Sequence, residues 1–399
     1  MITVLHLSHC LNRYDYIDAV IRHADPAQFR MLAATLTDDG SVRPGAAPYP
    51  VTVLGVRART QWPAAAAALR RLCRSERVDV VHTHNLDSTA IGAFAALGIR
   101  RVRLVIGRHY ADALYQLRPA WKCRALLALE GWCNRRAARL IAPSSMVRAI
   151  LVERQRVPAR RVAQIPYGFD FAKHQASVDA PARLRRELGL EGAAVLGSFS
   201  RLNADKGHAD LLRAFARLQP GRPTLRLLLV GEGNVRPRLE ALARELGVQE
   251  RVRFAGWRAD VIDLMAMADV VAHPSLHEAF SQVMVEALAM GKPLVITDVS
   301  GVADVVRDGW NGLIVPKADP AALAAAVTRL LDHPEEAAAM GARGRARVRR
   351  ELDIHVIITQ YEAVYRNVMG QEQSPNTKSQ SPNNHQDPIT NDQTIEVIA

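Results

Sequence analysis

Cysteine is scarce in this chain, with four in 399 residues, at positions 10, 73, 123 and 133. None of them sits at CxxC spacing, which argues against a disulfide framework or a zinc ribbon; Cys10, Cys73, Cys123 and Cys133 are expected to be reduced thiols, buried or half-buried, in a cytosolic protein. Long apolar runs are also missing. Nothing approaches the roughly 18 apolar residues of a spanning helix. The opening run from Met1 to Leu7 is too short, and lacks the basic lead-in, for a signal peptide. Aromatic residues make up only 5%, and no RRM, KH or zinc-finger pattern accompanies the net charge of +12, so no nucleic-acid partner is expected.

What remains is a globular composition, 49% hydrophobic and 23% charged, long enough for two domains with separate cores. Charge is unevenly placed. Residues 1–178 hold 26 Lys and Arg against 12 Asp and Glu, a net +14, while 179–399 hold 26 against 28, a net of −2. A basic first half suits an anionic partner such as a membrane surface or a phosphorylated lipid carrier. Short apolar runs alternate with helical patterns. Strands are expected at 3–7, 31–36, 51–56, 78–82, 103–106, 140–142 and 162–165. After a loosening near 173–179 they resume at 194–199, 225–230, 252–254, 270–273, 293–297 and 313–315. Helices are expected at 62–73, 88–96, 119–138, 207–218, 236–246, 281–290, 321–331 and 354–368. Alternation of this kind predicts an α/β fold with parallel sheets, whose ligands bind at strand carboxyl ends.

The strongest local signal lies in residues 274–293. Glu278 precedes, and Glu286 lies inside, a helix that Ser281 can open, with Ala279, Phe280 and Gln282 between the two carboxylates. Eight helical residues rise about 12 Å, near the distance from the sugar hydroxyls to the ribose hydroxyls of a nucleotide-sugar. The helix start between them offers N–H groups and a positive dipole end to a pyrophosphate. A second cluster, Gly197-Ser-Phe-Ser-Arg201-Leu-Asn-Ala-Asp-Lys206-Gly207, puts two cations after a strand, where they can stabilise a departing diphosphate without a metal ion. A third, Leu229-Val-Gly231-Glu-Gly233, is a glycine turn that lets backbone approach a ligand.

These motifs, with Val252-Arg-Phe254-Ala-Gly256 and Ser300-Gly-Val-Ala-Asp304 before residues 309–316, resemble the donor half of family 4 of the retaining glycosyltransferases. The resemblance covers the chain to about residue 370. It implies a GT-B fold, two Rossmann-like domains facing across a cleft. The expected division is an acceptor-binding domain at 1–175, a nucleotide-sugar-binding domain at 176–353, a helix at about 354–369 crossing back to the first domain, and a disordered tail at 370–399. It also implies a metal-independent transfer of sugar from a UDP- or GDP-sugar to a glycan or lipid-linked acceptor with retention, in the cytoplasm or at the inner face of the membrane. On this resemblance Glu278 holds the transferred sugar, Glu286 the ribose, Arg201 and Lys206 the diphosphate, and backbone near Phe254 the base. His109, in Val105-Ile-Gly-Arg-His109-Tyr-Ala-Asp112, is the candidate catalytic histidine. Two departures stand out: Ser8 to Tyr16 replaces the usual Gly-Gly loop, and Asp304 stands where relatives commonly have glutamate. A nucleotide-sugar epimerase or a phosphorylase of the same fold is the nearer alternative, and a basic nucleic-acid-binding protein the distant one.

Two features stay open. His82 and His84 are expected to point to opposite faces of a strand, where they cannot share an ion, and to be structural or cleft-lining. In the basic stretch 118–139, Trp121, Ala125, Ala128 and Trp132 share a helical face that suits either a membrane interface or packing on the sheet.

Overall fold

The computed structural model describes residues 1–10, 15–37, 49–111 and 119–371. Most of the expected tail, Asp112 and part of the Ser8 to Tyr16 loop lie outside the described residues.

Two all-parallel sheets follow one another along the chain. The first comprises β1 (Ile2–Ser8), β2 (Phe29–Thr35), β3 (Val51–Val53), β4 (Val80–Thr83), β5 (Arg103–Gly107), β6 (Arg139–Ala142) and β7 (Val162–Gln164), in the spatial order β3-β2-β1-β4-β5-β6-β7. The second comprises β8 (Ala194–Phe199), β9 (Leu225–Val230), β10 (Val252–Gly256), β11 (Val270–His273), β12 (Leu294–Thr297) and β13 (Leu313–Val315), in the order β10-β9-β8-β11-β12-β13. Every residue of β1, β4, β11 and β12 is buried. Helices cover both faces of such strands, so their sequences read as apolar runs without alternation. In each sheet the winding reverses beside the first strand, between β1 and β4 and between β8 and β11. Loops splay apart at such switch points, and that is where a crevice opens at the strand carboxyl ends.

The helices around the sheets include four beyond those expected from the sequence: α1 (Asp15–His23), α6 (Ala180–Leu188), α9 (Val261–Met267) and α13 (Pro334–Glu351). The 18-residue α13 buries Ala337, Met340, Gly341, Gly344 and Val348, a stripe of mostly small side chains. Its apolar signal is weak because close approach, not bulk, holds it: a Cβ on Gly341 would lie 2.1 Å from the Gly291 carbonyl oxygen.

The last helix, α14 (Ile354–Val368), crosses back from the second sheet to the first, packing on α1 and β1. Its start is tied by a bridge between Phe169 and Asp353, and Glu362 accepts from the Asp25 amide at 2.9 Å. Tyr361 and Tyr365 are fully buried beneath it. One core cluster contains Val4 and Val80 from the first sheet, Val195 and Leu228 from the second, and both of these tyrosines.

The tryptophan face of α4 (Ala120–Arg136) divides. Trp132 packs 4.8 Å from Phe94 with Arg136 over its ring, but Trp121 is 66% exposed. The residues that seat the helix are Glu130, Cys133 and Asn134. Cys10, Cys73 and Cys133 are buried and Cys123 is half-buried. Among the described residues no helix is long and apolar enough to cross a membrane.

Candidate active site

A cleft of about 640 Å³ opens at the carboxyl end of the second sheet, a size suited to a small-molecule ligand. Arg201, Lys206, Gly231, Glu278, Phe280, Ser281, Gln282 and Glu286 line it. The loops after β8 and β11 bring the charged members together. Glu278 Oε1 accepts from Lys206 Nζ at 2.7 Å and from His273 Nε2 at 3.0 Å. Burial alone would push the Glu278 carboxyl up; the His273 hydrogen bond and the nearby His273 and Lys206 charges outweigh it and bring the pKa down to about 2. The result is a half-buried carboxylate that stays ionised, an acceptor for hydroxyl groups. Lys206 is itself 8% exposed and also meets Asp205 at 3.5 Å.

Glycine sets this proximity. Gly207 has φ +66°, and a Cβ there would lie 1.9 Å from the Pro274 carbonyl oxygen, so the two loops touch backbone to backbone. Gly207→Ala is expected to cost about 2 kcal/mol through its left-handed conformation, with the lysine pushed off Glu278. A urea midpoint unchanged from wild type would contradict this packing. Gly231, at φ +137°, presses likewise on Ser200, a Cβ lying 2.1 Å from its carbonyl oxygen. Beneath the Arg201 turn, His208 Nε2 contacts Ser200 Oγ at 3.0 Å and the Arg201 carbonyl at 3.3 Å; burial lowers His208 to about 4.

Ser281 caps α10 (Gln282–Ala289), its Oγ accepting from the Met284 amide at 3.1 Å. The helix N-terminus therefore faces the cleft, with Glu286 further along it. Three residues singled out in the sequence sit differently. Ala279 is buried, its carbonyl accepting from Ser300 Oγ at 2.9 Å. Gly233 is packed against Leu202, where a Cβ would lie 2.2 Å from that carbonyl oxygen. Phe254 lies on β10, packed on the core of the second sheet, with Arg236 5.8 Å from its ring. Trp257 and Arg258, just beyond β10, line the cleft instead. Sequence reasoning passed over them, and over His273, because a lone tryptophan, arginine or strand-end histidine carries no motif. Asp304 faces the first half: its Oδ2 accepts from the Ser145 amide at 2.8 Å.

His109 projects from the loop after β5 toward the first half's own interior. Its Nδ1 meets Tyr167 Oη at 2.9 Å and its Nε2 meets His84 Nδ1 at 3.2 Å, with Tyr16 packed 4.6 Å from the ring. Burial lowers His109 to about 3. Below it, Arg108, 1% exposed, donates to the carbonyls of Tyr110 and Ala111 and pairs with buried Glu130 at 3.2 Å. Glu130 also accepts from Tyr110 Oη at 2.7 Å. Tyr16, Tyr167, Gln282 and Glu286 line a narrow crevice beside the main cleft.

The expectation for His82 and His84 is overturned. Their rings lie 4.2 Å apart, on one side of the sheet, because residues two apart on a strand share a face. With His6 they form, among the described residues, the one group placed to hold a metal ion, their ligand atoms within 4.8 Å of one another.

Residues 3–168 match the family described as Glycosyl transferase 4-like domain, and residues 182–347 match Glycosyl transferases group 1. Alpha-D-kanosaminyltransferase from Streptomyces kanamyceticus is 30% identical over 276 residues, 67% of this chain and 71% of that protein. Glycogen synthase from Mycobacterium tuberculosis is 30% identical over 298 residues, covering 73% and 69%. Among solved structures, the Anabaena protein HepE in complex with UDP-glucose superposes with a TM-score of 0.81 at 25% identity, over 92% of this chain and all of that one.

Proposed function

Since this chain belongs to the group 1 glycosyl transferases and is a glycosyltransferase, we propose that it takes a sugar from a UDP- or GDP-sugar and passes it, with retention, to a hydroxyl of a glycan or lipid-linked acceptor. One observation carries the reading: a half-buried, ionised Glu278 held between Lys206 and His273 in the lining of a cleft that the α10 N-terminus faces. UDP-glucose in the similar HepE structure supports a nucleotide-sugar donor.

In this proposal Arg201, Lys206 and the helix start bind the diphosphate, and charge building on the leaving oxygen strengthens those contacts in the transition state. Glu278 accepts from hydroxyls of the transferred sugar and Glu286 from those of the ribose. Trp257 and Arg258 stand beside the base. The sugar–phosphate bond opens with oxocarbenium character. The acceptor attacks from the face the diphosphate leaves, and a leaving phosphate oxygen takes its proton. No protein nucleophile and no metal ion are required.

The direct test is a thermal-shift series with UDP, GDP, ADP and their sugars, followed by product analysis. A donor at a hundred times its Kd should add about 2.7 kcal/mol to stability. Absence of any shift, on folded protein, would defeat the proposal. The net +14 of residues 1–178 supports an acceptor at an anionic membrane face. Sedimentation with anionic vesicles but not with neutral ones is expected, and equal binding to both would refute that part alone.

A further inference from the structure

Four buried or half-buried histidines and two tyrosines of the first half and α14 form one hydrogen-bonded chain. Tyr167 Oη meets His109 Nδ1 at 2.9 Å, and His109 Nε2 meets His84 Nδ1 at 3.2 Å. His84 Nε2 meets His6 Nδ1 at 3.0 Å, His6 Nε2 meets Tyr365 Oη at 3.4 Å, and Tyr365 Oη meets His82 Nδ1 at 2.8 Å. Tyr16 Oη touches the chain from the side, 3.5 Å from His84 Nδ1. Glycine at 107 makes room for it: a Cβ there would lie 2.4 Å from His109 Nε2 and 3.1 Å from His82 Nε2.

A neutral imidazole has one N–H and one lone pair, and a hydroxyl has one proton to give. Burial keeps all four rings neutral. Choosing the direction of one link therefore fixes the rest. Tyr365 cannot donate to both of its histidines, and accepting from both would strand its own buried O–H. Two arrangements remain, running in opposite directions. The far end breaks the tie, because His82 Nε2 is buried without a hydrogen-bond partner. An orphaned N–H there costs more than an orphaned lone pair. The proton of His82 then sits on Nδ1 and donates to Tyr365, which donates to His6, and the order continues through His84 to His109.

We propose that this chain is a tautomer relay that holds His109 with its proton on Nδ1, donating to Tyr167, so that Tyr167 and not His109 directs a hydroxyl proton toward the crevice shared with Gln282 and Glu286. His6, His82 and His84 are positioning residues acting through His109. The role of Tyr167 toward a substrate oxygen rests on the proposed sugar transfer; the relay does not.

The relay is read directly from long-range proton–nitrogen correlation spectra of protein labelled at histidine with nitrogen-15. All four rings are expected to carry the proton on Nδ1, a result that needs no variant to fold. An Nε2–H on His109 would overturn the proposal. So would metal-dependent signals from His6, His82 and His84 that change on adding EDTA, since an ion there breaks the His6–His84 link. In Tyr167→Phe, His109 loses its acceptor, so either arrangement strands one N–H, and all four rings are expected to gain Nε2–H population together, including His6 and His82, which Tyr167 does not touch. A change confined to His109 would refute the coupling. Transfer by Tyr167→Phe should fall about tenfold, as expected for one lost hydrogen bond, with donor affinity unchanged. Normal transfer by that variant, alongside the expected spectra, would remove the role of Tyr167. If the wild-type enzyme transfers no sugar, the proposed function fails while the spectra still decide the relay.

Discussion

Glu278→Ala is expected to lower sugar transfer by about 10²- to 10³-fold, the scale of losing one preorganised electrostatic contact to a developing charge. Glu278→Gln should be nearly as inactive, since an amide keeps the shape but not the charge. The loss should fall on kcat, with donor affinity changed less, if the contact tightens as the sugar becomes an oxocarbenium. Normal transfer by folded Glu278→Ala would mean that the site assignment is wrong. The same residue gives stability a pH dependence. Its folded pKa, lowered from 4.5 to about 2, means that the carboxylate stabilises the fold above pH 4.5, by up to roughly 3 kcal/mol, and that this is lost as pH falls toward 2. Glu278→Gln lacks this contribution, so the stability gap between wild type and variant should close between those two values. A gap that stays constant with pH would refute the clamp.

The second large effect is on folding. Arg108→Met should destabilise the protein by about 3–5 kcal/mol, because it leaves Glu130, 2% exposed, without its cation. Tyr110 and Gln155 still reach Glu130, at 2.7 and 2.5 Å, but neither carries a compensating charge. Adding Glu130→Leu should restore part of the loss, so the double variant should be more stable than the sum of the single effects predicts. Denaturant unfolding measures both. Strict additivity would show that the two groups act independently. Because Arg108 donates to the carbonyls of Tyr110 and Ala111, partial loss of structure should begin at the His109 loop.

The two sheets were legible in the residue order because buried parallel strands leave unbroken apolar runs, and each expected run corresponds to a strand. The charged lining of the second half's cleft was legible because its members lie within short spans: Arg201 to Gly207 after β8, Glu278 to Glu286 after β11. Helices held by small residues were not. The Gly341 and Gly344 stripe of α13 registers as weakly apolar, although a Cβ at Gly344 would lie 2.6 Å from the Leu288 side chain. His82 and His84 were misplaced by a wrong assignment of strand faces, and no reading of one strand could have added His6 from its neighbour.

Residue order alone thus settled the α/β alternation, the family and the charged side chains that line the second half's cleft, since each depends on local period or on neighbours in sequence. Tertiary structure alone decided which carboxylate is clamped, which way His109 faces and which tyrosine meets it. Contacts far apart in sequence made those choices, among them Tyr167 to His109, Lys206 to Glu278 and Tyr365 to His6, 58, 72 and 359 positions apart. Strand order and a crossing helix bring them together, and the hydrogen bonds that result depend on distances of a few ångströms that no local pattern encodes.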